Sequence, residues 1–272
     1  MIMIYFLVVL LILFVLYALS TNGRRGQPGF DKFRPYLYAH RGLHGKGVPE
    51  NSMRAFRRAK EAGYGIELDI HLLKDGDLAV IHDSDLKRTT GQDGIVENLT
   101  GEDLKNYYLE GTMETIPLFS QVLELYNGAM PLIVELKCVG NNYDALCAKA
   151  CQMLDAYSGL YCLESFDPRC VRWLKKNRPD LIRGQLSENY FNTPNCKLPW
   201  ILKVVLSWQM MNFWVWPDFV AYRFRDRSHP SNWFARKLWK INGVSWTLKS
   251  QQELNQALTD NCLGIFEGFS PE

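Results

Sequence analysis

Charge is missing from the first nineteen residues of this 272-residue chain: Met1 to Leu19 carry only apolar or aromatic side chains. As a helix, such a run spans roughly 28 Å, close to the hydrocarbon thickness of a bilayer. A basic stretch ahead of it is also absent, and the run is longer than the apolar part of a usual secretory signal. Those two facts favour an uncleaved anchor over a signal peptide, against the small-x-small pattern Ala18-Leu19-Ser20. Residues 1–20 are therefore expected to be a single transmembrane helix and 21–35 a basic juxtamembrane linker. Arg24, Arg25, Lys32 and Arg34 face only Asp31 in that linker, so the positive-inside rule places the remainder on the cytoplasmic side of a cell membrane.

Other scarcities narrow the class further. The seven cysteines are odd in number and lack the close paired spacing of a zinc site or a disulfide framework. Cys147 and Cys151, at i and i+4 in a helical pattern, read as packing residues. A net charge of +2 gives little support for nucleic-acid binding. No internal repeat or low-complexity stretch interrupts the chain, and the 250 or so residues after the anchor suffice for one large domain.

Chemistry concentrates between Tyr38 and Thr90. Short apolar runs end in His40-Arg41-Gly42 and in His82-Asp83, and between them lies Glu67-Leu-Asp69 inside an alternating run from Gly65 to Leu72. Side chains two apart on a strand share a face, so Glu67 and Asp69 point the same way with Cα atoms about 7 Å apart. Two carboxylates on one face call for a cation. Asn51 or Ser52 is a natural N-cap for a helix over 52–62, with Gly63 as its stop.

The same reading continues downstream. Strands are predicted at 36–39, 66–72, 78–81, 132–137, 160–165, 182–186, 219–223, 243–247 and 264–267. Helices are predicted at 52–62, 118–126, 143–157, 168–177, 231–240 and 251–258, with 94–113 as a small insertion. Strand, crossover helix and strand in repetition, with functional side chains at strand ends, is the pattern of a TIM (β/α)8 barrel over residues 36–270. Glu135 and Lys137 repeat the i, i+2 geometry within an apolar run, where inward charges are costly unless paired or metal-bound. Glu135 is thus the expected third carboxylate. Three carboxylates without imidazole or thiolate suit a hard divalent cation, Mg²⁺ or Ca²⁺. Arg41 and Lys137 supply fixed positive charge for an anionic group, Arg41 through two donors and Lys137 as a point charge. His40 and His82 remain for proton transfer.

In its order and spacing, the set His40-Arg41-Gly42, Pro49-Glu50-Asn51-Ser52, Glu67-x-Asp69, His82-Asp83 and Arg88-Thr89-Thr90 resembles the signature of the glycerophosphodiester phosphodiesterase family. Val134-Glu135-Leu136-Lys137, Glu164-Ser165-Phe166-Asp167 and Val244-Ser245-Trp246-Thr247 fit its later motifs. The resemblance implies the same barrel and metal-dependent hydrolysis of a glycerophosphodiester to an alcohol and sn-glycerol 3-phosphate. It implies attack by the neighbouring glycerol hydroxyl, one histidine taking its proton and the other protonating the departing alcohol. Glu50 is expected as a supporting or substrate-side residue.

The segment 198–216 holds Trp200, Trp208, Trp214 and Trp216 among aliphatic residues, with Lys203 as its one charge. Tryptophan favours the headgroup region, so an amphipathic element touching the bilayer is expected, over a second membrane span or a wholly internal helix. The arginines and lysines from Arg223 to Lys240 could then face anionic lipid. His71 shares the face of Glu67 and Asp69 if its strand is regular, whereas His44 and His229 are expected in loops and solvated. Two further readings remain: a lysophospholipase D-type or glycerol-phosphate-polymer hydrolase working at the membrane, and a non-catalytic membrane-bound binder of phospholipid head groups.

Overall fold

The alternation at Gly65–Leu72 recurs around a closed ring of strands in the computed structural model, which describes residues 1–272. The strands are β1 (Tyr38–His40), β2 (Gly65–Leu72), β3 (Leu78–Val80), β4 (Leu132–Leu136), β5 (Tyr161–Ser165), β6 (Arg183–Ser187), β7 (Phe219–Arg223), β8 (Asn242–Leu248) and β9 (Cys262–Phe266). β3 folds back antiparallel on β2, and the other strands run parallel, with β1 pairing both β2 and β9 to close the barrel. This is the expected TIM barrel with an N-terminal apolar helix.

Helices cover the outside: α1 (Ile2–Ser20), α2 (Met53–Glu61), a single turn α3 (Lys87–Thr90), α4 (Phe119–Tyr126), α5 (Tyr143–Asp155), α6 (Pro168–Asn177), α7 (Trp200–Ser207), α8 (Asn212–Val215), α9 (Pro230–Trp233) and α10 (Gln251–Thr259). Their starts follow from local chemistry. Ser52 caps α2 by accepting from the Ala55 N–H at 3.1 Å. Asp167 caps α6 by accepting from the Arg169 N–H at 2.8 Å, with Pro168 at the first position, where its missing N–H costs nothing. Ala55, Phe56 and Ala59 form the buried stripe of α2, and Phe56 and Ala59 pack with Ile66, Leu68 and Ile70, the outward residues of β2.

The inward positions divide by height. The lower barrel is filled by Tyr38, Ile133, Cys162, Phe219, Val244, Leu263 and Ile265, and Phe30 and Phe33 close its base. Close packing there excludes larger side chains: a Cβ on Gly184 would lie 2.1 Å from the Phe219 ring. Residues 21–35, read as a linker, are thus largely packed: Thr21 is fully buried, and Arg24 reaches Asp218 at 3.3 Å and donates its N–H to the Pro217 carbonyl at 2.9 Å.

Three stretches depart from their sequence reading. Residues 94–113 are no separate insertion in packing terms, because Val96, Leu104 and Leu109 join Leu73, Ala79, Ile81 and Leu86 in a small apolar cluster. The helix expected over 231–240 begins one residue earlier as α9 and continues as a π-helical turn, Phe234–Leu238. The 198–216 segment is two helices, α7 and α8. α1, with a mean hydropathy of 3.1, is long and apolar enough to cross a membrane.

Candidate active site

Register places the acids in one layer. Across the ladder His40 pairs with Glu67, Asp69 with Glu135, and Glu135 with Glu164, so β1, β2, β4 and β5 each deliver a polar side chain near the C-terminal mouth. Each lies two residues beyond another inward residue, Tyr38, Gly65, Ile133 or Cys162, or, for Asp69, Glu67, so the strand alternation that builds the plug also builds the site. The carboxylates of Glu67, Asp69 and Glu135 offer oxygens all within 4.8 Å of one another, and all three residues are buried. Asp69 Oδ1 and Glu164 Oε2 are buried without a hydrogen-bond partner. Orphaned carboxylate oxygens in an all-oxygen donor set fit a hard divalent cation.

Burial and mutual repulsion set the charges. Burial, together with Asp69, Glu135 and Glu164, holds the Glu67 carboxyl well above its usual range. Burial also lifts Glu135 to about 7, against the pull of Lys137, and lifts Glu164 well up, reinforced by Glu135 and Asp69. At Asp69 burial works in the same upward direction but is outweighed by Lys137, Arg41 and the Asn51 hydrogen bond, which keep that carboxylate ionised. Lys137 Nζ stands 3.0 Å from Glu135 and 3.4 Å from Asp69, and Arg41 Nε stands 3.5 Å from Asp69.

Both histidines are held through the same ring nitrogen. His40 Nδ1 meets Glu267 Oε2 at 2.5 Å, and His82 Nδ1 meets Asp83 Oδ1 at 2.6 Å. A carboxylate can only accept, so each Nδ1 carries the proton and each Nε2 is left as the basic nitrogen. Burial is the main cause that lowers His40, to about 4, and it also lowers His82, so both rings are neutral near pH 7.

Of the residues anticipated from sequence, Glu67, Asp69, Glu135, Lys137, Arg41 and Glu50 form one continuous network beside His40 and His82. Glu50 accepts from Arg41 at 2.9 Å and from Arg88 at 2.7 Å, a role between two cations. Four residues that the sequence reading did not place in the site join it. Glu267 and Glu164 follow the inward residues Ile265 and Cys162 by two, a signal present in the strand alternation. Asn51, at a positive φ of 52°, donates to Asp69 at 2.9 Å, and Arg88 bonds to Asp83. Their spacing along the chain carries no hint of those contacts.

Other histidines and arginines need correction or placement. His71 does share the face of Asp69, and its Nδ1 meets Glu97 at 2.5 Å while its Nε2 meets the His82 carbonyl at 3.2 Å. His44 is largely buried, with Nε2 3.9 Å from Glu267, and His229 caps α9 and packs on Trp208 at 4.9 Å; neither is simply solvated. His40, His44 and Glu267 also bring donor atoms within 4.8 Å, but Lys249 already occupies Glu267 at 2.6 Å. Arg223 turns inward to Glu188 at 2.6 Å and Arg236 bonds to the Asp260 carbonyl, so these two do not line an outward basic face.

A cavity of about 1090 Å³ opens over the layer. His82, Glu135 and Lys137 lie on one wall, and Leu198, Leu202, Val205, Leu206, Met211 and Trp214 form another.

A barrel that gathers acids, cations and two oriented imidazoles at its C-terminal mouth defines a protein of the phosphoester-site class. The chain matches the model of the glycerophosphoryl diester phosphodiesterase family over residues 40–213, and it belongs to that family. It is 43% identical to a glycerophosphodiester phosphodiesterase of Bacillus altitudinis over 114 residues, 39% of this chain and 46% of that protein. It is 37% identical to one of Caldanaerobacter subterraneus subsp. tengcongensis over 160 residues, 55% of this chain and 65% of that protein. A lysophospholipase D of Rattus norvegicus is 34% identical over 140 residues, 47% of this chain and 43% of that protein. The matched part thus spans between 43% and 65% of these relatives' length. The fold is similar to that of an Oleispira antarctica phosphodiesterase solved with the product sn-glycerol-3-phosphate: TM-score 0.73, 20% identity, 90% of this chain and 95% of that one.

Proposed function

We propose that this protein hydrolyses glycerophosphodiesters to an alcohol and sn-glycerol 3-phosphate, with a divalent cation held by Glu67, Asp69 and Glu135. The observation that carries this is the buried triad of carboxylate oxygens within 4.8 Å beside two imidazoles with free Nε2 atoms. When bound, Mg²⁺ or Ca²⁺ would supply charge neutralisation for the phosphodiester and its five-coordinate transition state. Arg41 and Lys137 would bind the remaining phosphate oxygens once the acids are shared with the cation. The substrate hydroxyl beside the phosphate attacks phosphorus and gives its proton to one histidine. The other histidine, which must enter this step as the imidazolium with a second proton on Nε2, gives that proton to the departing alcohol oxygen, leaving a cyclic phosphate that water opens. Glu267 and Asp83 hold the rings so that Nε2 faces the reaction.

A second substrate reading has its own support. The aliphatic wall from Leu198 to Trp214 offers nothing to a water-soluble head group but suits an acyl chain, which favours a lysophospholipid as substrate. A non-catalytic head-group binder needs neither imidazole, yet both are present and oriented. The test is release of sn-glycerol 3-phosphate by the purified full chain from glycerophosphocholine and from a lysophospholipid, with and without EDTA. Activity that ignores the chelator would remove the cation from the proposal, and no product from either substrate would leave the binding reading. For location, Arg24 and Arg25 following α1 as a single span support a cytoplasmic barrel by the positive-inside rule. Protease that reaches the barrel in inside-out but not right-side-out vesicles is the expected result.

A further inference from the structure

The way α1 leaves the barrel fixes which end of the domain it extends from. Arg24 is tied to Pro217, just before β7 begins, so this part of the chain lies toward the N-terminal base. Tyr17 packs on Trp208 at 5.6 Å and on Phe234 at 5.1 Å. Trp208 directly follows Ser207, which binds the Tyr190 N–H beyond the C-terminal end of β6, and it packs on His229 beyond the end of β7. From Arg24 back to Tyr17 the chain therefore climbs from the base to the mouth, and Phe14 packs on Phe234 above it at 5.7 Å. Residues 1–16, all exposed, continue outward from that height, roughly 24 Å of helix, a length that a bilayer accommodates by thinning slightly around it.

A second apolar feature lies at that same end. α7 returns to the rim at Leu206, whose carbonyl accepts from Ser187 at 3.1 Å, the last residue of β6. Leu202, Val205 and Leu206 line the cavity, while Trp200 and Ile201, 70% and 67% exposed, point away from it. Lys203 is the one charge in α7. An exposed tryptophan and isoleucine beside a lysine, on the side from which a bilayer-length apolar helix departs, match the chemistry of an anionic headgroup layer.

We propose that the active-site mouth faces the bilayer spanned by α1, with Trp200 and Ile201 seated among the lipid headgroups. Substrate then reaches the cavity sideways from the leaflet along Leu202, Val205 and Leu206. The occupant of this face is lipid, because α1 would hold it there whenever it spans the membrane. The inference rests on the proposed hydrolysis and on α1 as a span, and its test separates them.

The full chain would be placed in nanodiscs of phosphatidylcholine and phosphatidylglycerol, with acyl chains brominated near the headgroup in one preparation. Bromine is expected to quench part of the tryptophan emission, and W200F should lose a clear share of that quenching. Unchanged quenching in W200F would overturn the proposal whatever the enzyme does. In the same nanodiscs, W200E/I201E should lower turnover of embedded lysophospholipid about tenfold or more and leave turnover of soluble glycerophosphocholine within twofold. Equal losses on both substrates would overturn sideways entry. If the wild-type chain cleaves neither substrate, the hydrolysis reading fails while the quenching result still decides the orientation. A double variant that breaks a larger oligomer in detergent, with quenching unaltered, would assign the face to a second copy and overturn the proposal.

Discussion

The inward residues of the barrel change character across about one layer of strand. In the lower layer Tyr38, Ile133, Cys162, Phe219, Val244 and Ile265 meet Phe30 and Phe33 in a plug of carbon. Two residues further along the same strands stand His40, Glu135, Glu164 and, after β9, Glu267. One alternation serves both layers, yet the first gains free energy by leaving water and the second loses it. Buried like charges disfavour folding unless paired or cation-bound. The plug supplies stability, and the acid layer draws on it to hold groups where catalysis needs them.

That contrast can be broken most severely at the mouth. His40→Ala should lower turnover about 10²- to 10⁴-fold, the usual range for a lost acid or base. The melting temperature should barely move, because the ring is partly solvent-accessible and replaces no carbon packing. A variant with near-full turnover would remove His40 from the mechanism. Steady-state kinetics with scanning calorimetry on the same sample gives both numbers.

At the base the pattern should reverse. Phe33→Ala empties a fully buried ring site and should cost about 3–5 kcal/mol of stability. The protein that remains folded should turn over close to the wild-type rate. Loss of turnover without loss of stability would mean that the plug and the acid layer are not separable.

How much of this was legible beforehand follows from the same alternation. Period two marked Glu67, Asp69 and Glu135 as inward, because one face of each strand is charged and the other aliphatic. It would equally have marked Glu164 and Glu267, had the rule been extended to every strand that ends in a carboxylate. Arg88 and Asn51 were beyond its reach: Arg88 meets Glu50 across 38 residues of chain, and Asn51 meets Asp69 from a left-handed turn. Only closure of the barrel joins them. The same holds for α1, whose apolar composition was plain while its docking on Trp208 and Phe234 depends on tertiary contact.

A smaller effect sharpens the contrast through pH. Burial raises Glu135 from its ordinary 4.5 to about 7, so the fold favours its protonated form. The sign follows: this contribution to stability is full below about 4.5 and is lost as pH rises through about 7. Measured against Glu135→Gln, which keeps the opposing trend of the buried imidazoles, the metal-free protein should therefore be favoured by roughly 5 °C more near pH 5 than near pH 8, at about 2–4 °C per kcal/mol. Saturating Mg²⁺ or Ca²⁺ should raise the melting point more at pH 8 than at pH 5, since ligands must be ionised to bind. A metal-free melting difference between the wild type and Glu135→Gln that stays constant from pH 5 to 8 would show that Glu135 is not strained.

The least change concerns Glu267, which touches His40 rather than substrate. It raises the His40 affinity for a proton through both its hydrogen bond and its charge, against the burial that lowers it. Glu267→Gln keeps a hydrogen-bond acceptor and removes the charge, so the imidazole should become less basic. If neutral His40 is required, the acid limb of the turnover profile should move to lower pH, and turnover at its maximum should fall about tenfold as a weaker base works against the same barrel. A purely structural Glu267 would lower stability and leave the limb in place, because Lys249, which bonds to the same carboxylate at 2.6 Å, would lose its partner in either case. The position of that limb, read from turnover between pH 3 and 9 together with the His40 ring's own NMR titration, separates a residue that tunes the base from one that merely ties β9 to β1.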